Sequence, residues 1–107
     1  MKYNLKDMLH QADENGYAVP AFNYSDVWEL MAILRTAKEE RAPVIVQTNS
    51  QVSSVLTLPW LGALGRQFME EAEIPVINHL DHSKLVQSCC TAIDCGYASV
   101  MIDGSAQ

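Results

Sequence analysis

The adjacent pair Asp81-His82, followed later in the chain by Asp103, is the part of this sequence best suited to chemistry. A carboxyl group can exchange a proton with a substrate. An imidazole beside a carboxylate is a suitable partial shell for zinc or another divalent cation. Because a catalytic zinc has about three protein ligands and an open position, these residues predict only part of a metal and acid/base centre.

Each of these residues also has an ordinary structural explanation. Asp81 could be the N-cap of the helix that follows it, and His82 could be a loop histidine with local hydrogen bonds. Asp103 precedes a glycine and fits a turn, while Asn23 could close a turn before a helix. The chemical interpretation therefore depends on whether the fold brings these side chains together.

Short apolar runs alternate with amphipathic stretches along the chain, which predicts strands alternating with helices. The strands are expected at residues 18–22, 44–46, 76–80 and 98–102. A first helix is expected between an N-cap at Asn4 and a stop at Gly16, and a second from an N-cap at Ser25 to a break at Pro43. Two more are expected at residues 58–72 and 84–95, with a polar loop at 47–54.

Each of the four predicted helices is expected to bury one apolar face. Apolar spacing predicts that the second helix buries Val27, Leu30, Met31 and Leu34, and that the last helix buries Val86, Cys89 and Ile93. Lys84 is expected inside the last helix and not at a strand end.

Strands alternating with helices are typical of a parallel α/β sheet, in which the carboxyl ends of the strands share one edge. Four sets of polar residues follow the four predicted strands: Asn23, the segment 47–50, Asp81 with His82, and Asp103 with Ser105. All are therefore expected on the same face of one α/β domain that takes in residues 1–107.

The composition narrows the function further. The formal net charge is −6 and no basic stretch is present, which argues against a nucleic-acid partner or an anionic membrane surface. The polar N-terminus does not fit a signal peptide, and no apolar run approaches the roughly 20 residues of a membrane span. Three cysteines, two of them adjacent, make a poor disulfide framework and predict a reducing, cytoplasmic location.

Four segments of the chain resemble successive strand motifs of the class II, metal-dependent ketose-bisphosphate aldolases. They are VPAFN at 19–23, APVIVQT at 42–48, HLDH at 79–82 and GYASVMIDGS at 96–105. The resemblance implies the N-terminal half of a TIM (β/α)8 barrel preceded by a helix, and a homo-oligomer. It covers essentially the whole chain but only the leading part of a typical family member.

The resemblance also implies a reaction, namely reversible cleavage of a fructose or tagatose 1,6-bisphosphate to glycerone phosphate and glyceraldehyde 3-phosphate. Asp81 resembles the residue that exchanges a proton with the C4 oxygen of this phosphorylated sugar. His82 resembles a ligand of the catalytic Zn²⁺, and Asp103 a carboxylate of a second cation site. Asn23 resembles a residue close to the substrate.

The loop after the second strand departs from the family pattern. The family places a serine and a glycine-containing segment there, whereas this chain has Asn49 and Ser50 without glycine. By resemblance these two residues contact substrate. His79 is expected to be structural or to support the site, and is not assigned to metal.

The remaining zinc ligands of the family are not found in this sequence. Three hypotheses follow: the N-terminal part of an active aldolase, an inert half barrel that self-associates, and a non-catalytic α/β module that binds metal or another ligand.

Overall fold

A computed structural model describes residues 3–105 of the 107-residue chain as five helices and four strands. None of these helices is long and apolar enough to cross a membrane. In chain order the elements are α1 (Leu5–Asn15), β1 (Ala21–Asn23), α2 (Val27–Glu40), β2 (Val44–Thr48), α3 (Ser50–Val55), α4 (Leu58–Glu71), β3 (Val76–Ser83), α5 (Val86–Cys95) and β4 (Ser99–Ile102).

The four strands form one parallel sheet in the order β1-β2-β3-β4, so the predicted α/β half barrel is confirmed. All four strands differ from the predicted bounds: β2 is two residues longer and β4 begins one residue later, while the larger differences are in β1 and β3. Strand β1 begins after Pro20, whose carbonyl accepts a hydrogen bond from the Ile45 amide at 2.9 Å. Strand β3 runs on to Ser83, three residues further than predicted, so that Asp81 and His82 belong to the strand itself.

The sheet has two chemically different faces. Along β2 buried residues alternate with half-buried ones, as expected where one face packs against helices. Val44 and Val46 belong to the core cluster beneath α2 and α4, together with Val76 of β3. The register pairs Gln47 with His79 on the opposite face, which is the face that carries the polar side chains.

The helix ends confirm one predicted cap and correct another. Asn4 caps α1 and Gly16 ends it in the left-handed region, as predicted. The prediction of Ser25 as the cap of α2 is wrong, because Asp26 occupies that position and accepts from the Glu29 amide at 2.7 Å. Ser25 donates its hydroxyl to the Glu29 carboxylate at 2.6 Å instead, which reinforces the same turn.

The predicted polar loop at residues 47–54 is wrong. Gln47 and Thr48 extend β2, and most of the remainder forms α3. Asn49 caps this helix, since its side-chain oxygen accepts from the amides of Gln51 and Val52 at 3.0 and 3.3 Å. Six residues are too short for a helical period to be visible in the sequence.

Two predicted helix faces are only partly correct. In α5 Cys89 is buried, but Val86 and Ile93 are 69% and 57% exposed; Ala92 is buried in their place. In α2 Leu30 is buried and Leu34 packs on the core. The other two members of that predicted stripe, Val27 and Met31, are exposed. In α5 the buried positions hold small residues, so the larger apolar side chains of the sequence predicted the wrong face there.

Helix α4 packs unusually close to β3 and α5 through two glycines. A Cβ on Gly65 would lie 2.0 Å from the side-chain nitrogen of Asn78, in the middle of β3. A Cβ on Gly62 would lie 2.3 Å from the carbonyl oxygen of Cys95. Gly65 therefore sets the distance between α4 and β3, the strand that carries Asp81 and His82, and Gly62 sets the distance between α4 and α5.

Replacing Gly65 by alanine should lower the free energy of unfolding by about 1–3 kcal/mol, the usual penalty for overpacking a core. The added methyl group would displace the Asn78 amide, which is fully buried. Urea unfolding followed by circular dichroism measures the change. Gly104→Ala is the control, because nothing lies within 4 Å of its Cβ position; equal midpoints for the two variants would contradict the close contact.

Candidate active site

A chain of polar contacts crosses the carboxyl ends of all four strands. The Gln47 side-chain nitrogen donates to the Asn23 side-chain oxygen at 2.5 Å and to Asp81 Oδ2 at 3.2 Å. His82 Nε2 lies 3.5 Å from the same Asp81 oxygen, and His82 Nδ1 lies 3.0 Å from Asp103 Oδ2. The fold thus brings together Asn23, Asp81, His82 and Asp103, as expected for neighbouring parallel strands.

Asp81 lies at the centre of this chain of contacts. Its side chain is 13% exposed, and it projects from β3 on the same face as Gln47 and His79. It accepts from Gln47 and lies between the rings of His82 and His79, whose Nε2 is 3.8 Å from Asp81 Oδ1. Asp81 is not the N-cap of α5, because Leu85 occupies that position. A half-buried carboxylate with adjacent donors is suited to taking up and returning a proton.

The backbone at His82 is in the left-handed region, with φ of 49°. This conformation is uncommon for residues other than glycine and occurs at functional sites. It coincides with an irregularity in the β3–β4 register between Leu80 and Ser83, after which the Asp103 amide donates to the Ser83 carbonyl at 2.7 Å. The irregularity turns the His82 ring towards Asp81 and Asp103.

His82 and Asp103 influence each other electrostatically. The hydrogen bond to Asp103, and then the nearby charge of Asp81, raise the pKa of His82 above its ordinary value. Hydrogen bonds from Ser105, followed by the contact with His82, hold the pKa of Asp103 well below its usual range. The Ser105 amide donates to Asp103 Oδ1 at 2.9 Å, so Asp103 also forms the turn considered from the sequence.

His79 is in a different environment from His82. Its Nδ1 lies 2.6 Å from the Ser99 hydroxyl, and its side chain is 17% exposed. Burial lowers the pKa of His79, and the charge of Asp81 only partly offsets that effect. Its contacts with Ser99 and Asp81 fit the supporting role expected from the sequence.

The two residues predicted in the loop after β2 lie on separate cavities. Asn49 and Asn23 both line an open cleft of about 500 Å³ between the start of α2 and α3. Ser50 lines a smaller cavity of about 130 Å³ together with Ser83 and Lys84. Lys84 directly follows β3, so the expectation that it lies inside the last helix is wrong; β3 is longer than predicted and α5 begins later.

Gln47 belongs to the polar segment 47–50 that was expected on this face, but no role in the site was predicted for it. The detectable signal was its position in the strand 44–48, where a polar residue alternates with buried valines and points to the face opposite the core. Its partners on β1 and β3 depend on the strand register, which the sequence alone does not reveal.

The donor set fits part of a metal site. Within residues 3–105, no three His, Cys, Asp or Glu side chains are grouped so that they could hold a metal ion. His82 can nevertheless present one ring nitrogen, because Nδ1 faces Asp103. A carboxylate that accepts from one ring nitrogen fixes the other as the metal-binding atom, an arrangement common in zinc proteins.

The chain is similar to known proteins over almost its whole length. The family model described as class II fructose-bisphosphate aldolase matches residues 3–107. A fructose-bisphosphate aldolase of Treponema pallidum is 38% identical, with 96% of this chain aligned to 32% of that protein. A 6-phospho-5-dehydro-2-deoxy-D-gluconate aldolase of Bacillus licheniformis is 40% identical, over 95% of this chain and 36% of that protein.

A solved structure shares the fold. The crystal structure of an aldolase from Escherichia coli K12 superimposes with a TM-score of 0.89 at 25% identity, over 98% of this chain and 41% of that one. The chain thus spans about a third of the length of these curated relatives, at 32% and 36%.

The two site histidines should titrate in opposite directions from the ordinary histidine value. In metal-free protein, ring ¹⁵N NMR should give His82 a raised pKa, because of Asp103 and Asp81, and His79 a lowered one, because of burial. Asp103→Asn should lower the pKa of His82 and leave that of His79 unchanged, while Asp94→Asn on α5 serves as the charge-matched control. A His79 pKa above that of His82 would contradict the described contacts.

Proposed function

Because the chain belongs to the class II fructose-bisphosphate aldolase family, we propose that it supplies the first four strands of a barrel enzyme that cleaves a ketose 1,6-bisphosphate. The products are glycerone phosphate and glyceraldehyde 3-phosphate. The observation that carries the proposal is the placement of Asp81 and His82, which are in contact at the end of β3 and linked to Asn23 and Asp103 on either side.

Asp81 acts as the acid/base residue in this proposal. As the C3–C4 bond of the ketose breaks, the C4 hydroxyl gives its proton to the Asp81 carboxylate and becomes an aldehyde. The electron pair of the broken bond stays with C3, which is protonated later to give glycerone phosphate. The Gln47 hydrogen bond and the low exposure of Asp81 hold the carboxylate in one orientation for this transfer.

His82 contributes one ligand to the metal of this metal-dependent family. We assign that role to Nε2, because Nδ1 faces Asp103 at 3.0 Å. A bound Zn²⁺ would supply a Lewis acid that polarises the substrate ketone. Asp103 orients the His82 ring and also has a free lone pair for a second divalent or monovalent cation.

The substrate contacts in the proposal involve Asn23, Asn49 and Ser50. Asn23 and Asn49 share one cleft, and Asn49 uses its side-chain oxygen as a helix cap, which leaves its amide hydrogens free to donate. Ser50 shares its small cavity with Lys84, a cation suited to a phosphorylated sugar.

The proposed catalytic unit is larger than this chain. In this proposal the 107-residue chain provides one zinc ligand and one proton-transfer group, whereas a catalytic zinc has about three protein ligands. Residues 1–107 are therefore proposed as part of one barrel domain in a homo-oligomer. The three free cysteines favour the cytoplasm. The alternative is an inert half barrel that pairs with a second copy.

A second substrate is supported by one comparison. The chain is about as similar to the 6-phospho-5-dehydro-2-deoxy-D-gluconate aldolase as to the fructose-bisphosphate aldolase, at 40% and 38% identity. Both are named as aldolases of phosphorylated sugars, so the proposed chemistry at Asp81 and His82 is the same for either substrate.

Zinc binding should depend on His82. His82→Ala should remove measurable binding in a competition assay with a chromogenic chelator, because it deletes the proposed ligand. Asp103→Asn should weaken binding by about 10- to 100-fold, the usual effect of losing the group that orients a metal-binding histidine. His10→Ala is the control, since His10 is an exposed residue of α1 paired with Glu14; equal affinities for His82→Ala and His10→Ala would remove His82 from the site.

Aldol cleavage should require the assembled barrel. Activity on fructose and tagatose 1,6-bisphosphates is measured across size-exclusion fractions, with and without EDTA. The 107-residue chain alone should be inactive. A complete barrel that contains this chain should be active and should lose its activity in EDTA. In that barrel, Asp81→Asn should lower the activity by about 10²- to 10⁴-fold. Activity that resists EDTA would exclude the metal-dependent mechanism, and full activity of a monomeric chain would exclude the incomplete site.

A further inference from the structure

Gln47 is the side chain that connects the proposed proton-transfer group to the proposed substrate-binding residue. Its single amide nitrogen contacts both Asn23 on β1 and Asp81 on β3, at 2.5 and 3.2 Å. The strand register explains this central location, because Gln47 pairs with Asn23 on one side and with His79 on the other. Asp81 lies two residues beyond His79, on the same face.

The direction of these hydrogen bonds is fixed by chemistry. An ionised carboxylate can only accept hydrogen bonds, so Asp81 requires the NH₂ end of the Gln47 amide. The second hydrogen of the same NH₂ group then points to Asn23, whose side-chain carbonyl oxygen accepts it. As a result the Asn23 NH₂ group is turned away from Gln47 and remains available as a donor.

We propose that Gln47 is a positioning residue for the aldol reaction: it holds the Asp81 carboxylate and makes Asn23 present a hydrogen-bond donor. This inference rests on the proposed function above. A donor at Asn23 selects an oxygen acceptor, such as a substrate hydroxyl, carbonyl or phosphate oxygen. It disfavours a ligand group that can only donate. The polarity of the substrate contact is therefore set two strands away, at Asp81.

The alternative is that Gln47 only fills space on the sheet. It is half-buried next to Ile45, and an apolar side chain of equal length would serve that purpose. The two explanations differ in their effect on Asn23 and Asp81. A space-filling residue can be replaced by methionine without changing either neighbour, whereas a positioning residue cannot.

The deciding experiment is side-chain NMR on the labelled 107-residue chain. Gln47→Met removes the donor at nearly constant length, and Gln47→Glu keeps the shape but replaces the donor by an acceptor. Asp81→Asn tests the polarity directly. Gln67→Met and Gln67→Glu are matched controls, since Gln67 contacts only Glu71 on the exposed side of α4 among the contacts described.

Both Gln47 variants should shift the Asn23 side-chain amide and the Asp81 carboxyl carbon by more than either Gln67 variant does. Asp81→Asn should shift the Gln47 amide as well as that of Asn23, although Asn23 does not touch Asp81 in the described contacts. Shifts no larger than those of the Gln67 controls would overturn the proposal. Gln47→Glu decides the outcome if Gln47→Met does not fold.

Kinetic measurements on a complete, active barrel that contains this chain test the role of Gln47 separately from the proposed aldolase function. Gln47→Met should lower kcat about 10- to 100-fold, as expected when a reacting group is misplaced. Because Gln47 acts through Asp81 as well as through Asn23, the same substitution should cause a smaller loss in Asp81→Asn than in the unsubstituted barrel. An equal fold-loss of kcat from Gln47→Met with and without Asp81→Asn would overturn the positioning role. If the NMR shifts appear as expected but the barrel shows no turnover, the contacts of Gln47 stand and only the proposed aldolase function is contradicted.

Discussion

The parallel pairing of β2 with β3 is the constraint on which the rest of the site depends. This register pairs Gln47 with His79 and leaves Asp81 two positions further along the same face. One amide can then reach both Asp81 and Asn23. The pairing is held from the opposite face, where Val44, Val46 and Val76 belong to one buried cluster. The core of the domain therefore determines distances between polar groups that it does not contact.

A buried hydrogen bond on the core side of the sheet also stabilises the strand ends that carry the site. The Thr48 hydroxyl and the Tyr97 hydroxyl are 2.7 Å apart and buried, which links the end of β2 to the segment that leads into β4. Burial raises the pKa of Tyr97, so the phenol stays neutral and keeps this hydrogen bond at physiological pH. The polar face thus lies between two anchored strands, with its carboxylates Asp81 and Asp103 on either side of His82. The two carboxylates favour the protonated form of His82, which is why its pKa is raised.

The sequence was sufficient to predict that four residues of the site share one edge of the sheet, but not the contacts between them. Polar groups after parallel strands had to share an edge, and this rule correctly brought Asn23, Asp81, His82 and Asp103 together. The contact between Gln47 and Asn23 depends on register, which arises from packing between distant segments. The same limit applied to α5, where the buried positions hold Cys89 and Ala92. Their small side chains carry little hydrophobic signal, whereas the exposed Val86 and Ile93 carry more.

The left-handed backbone at His82 has a consequence for how this site can vary. In a regular strand, successive side chains point to opposite faces, so Asp81 and His82 could not both serve one site. The irregularity between Leu80 and Ser83 removes that restriction and gives two adjacent residues to the same site. The site is consequently specified by the number of residues in β3 as well as by their identity. Loss or gain of one residue in this strand would separate the proposed acid/base group from the proposed metal ligand, even with both side chains still present in the chain.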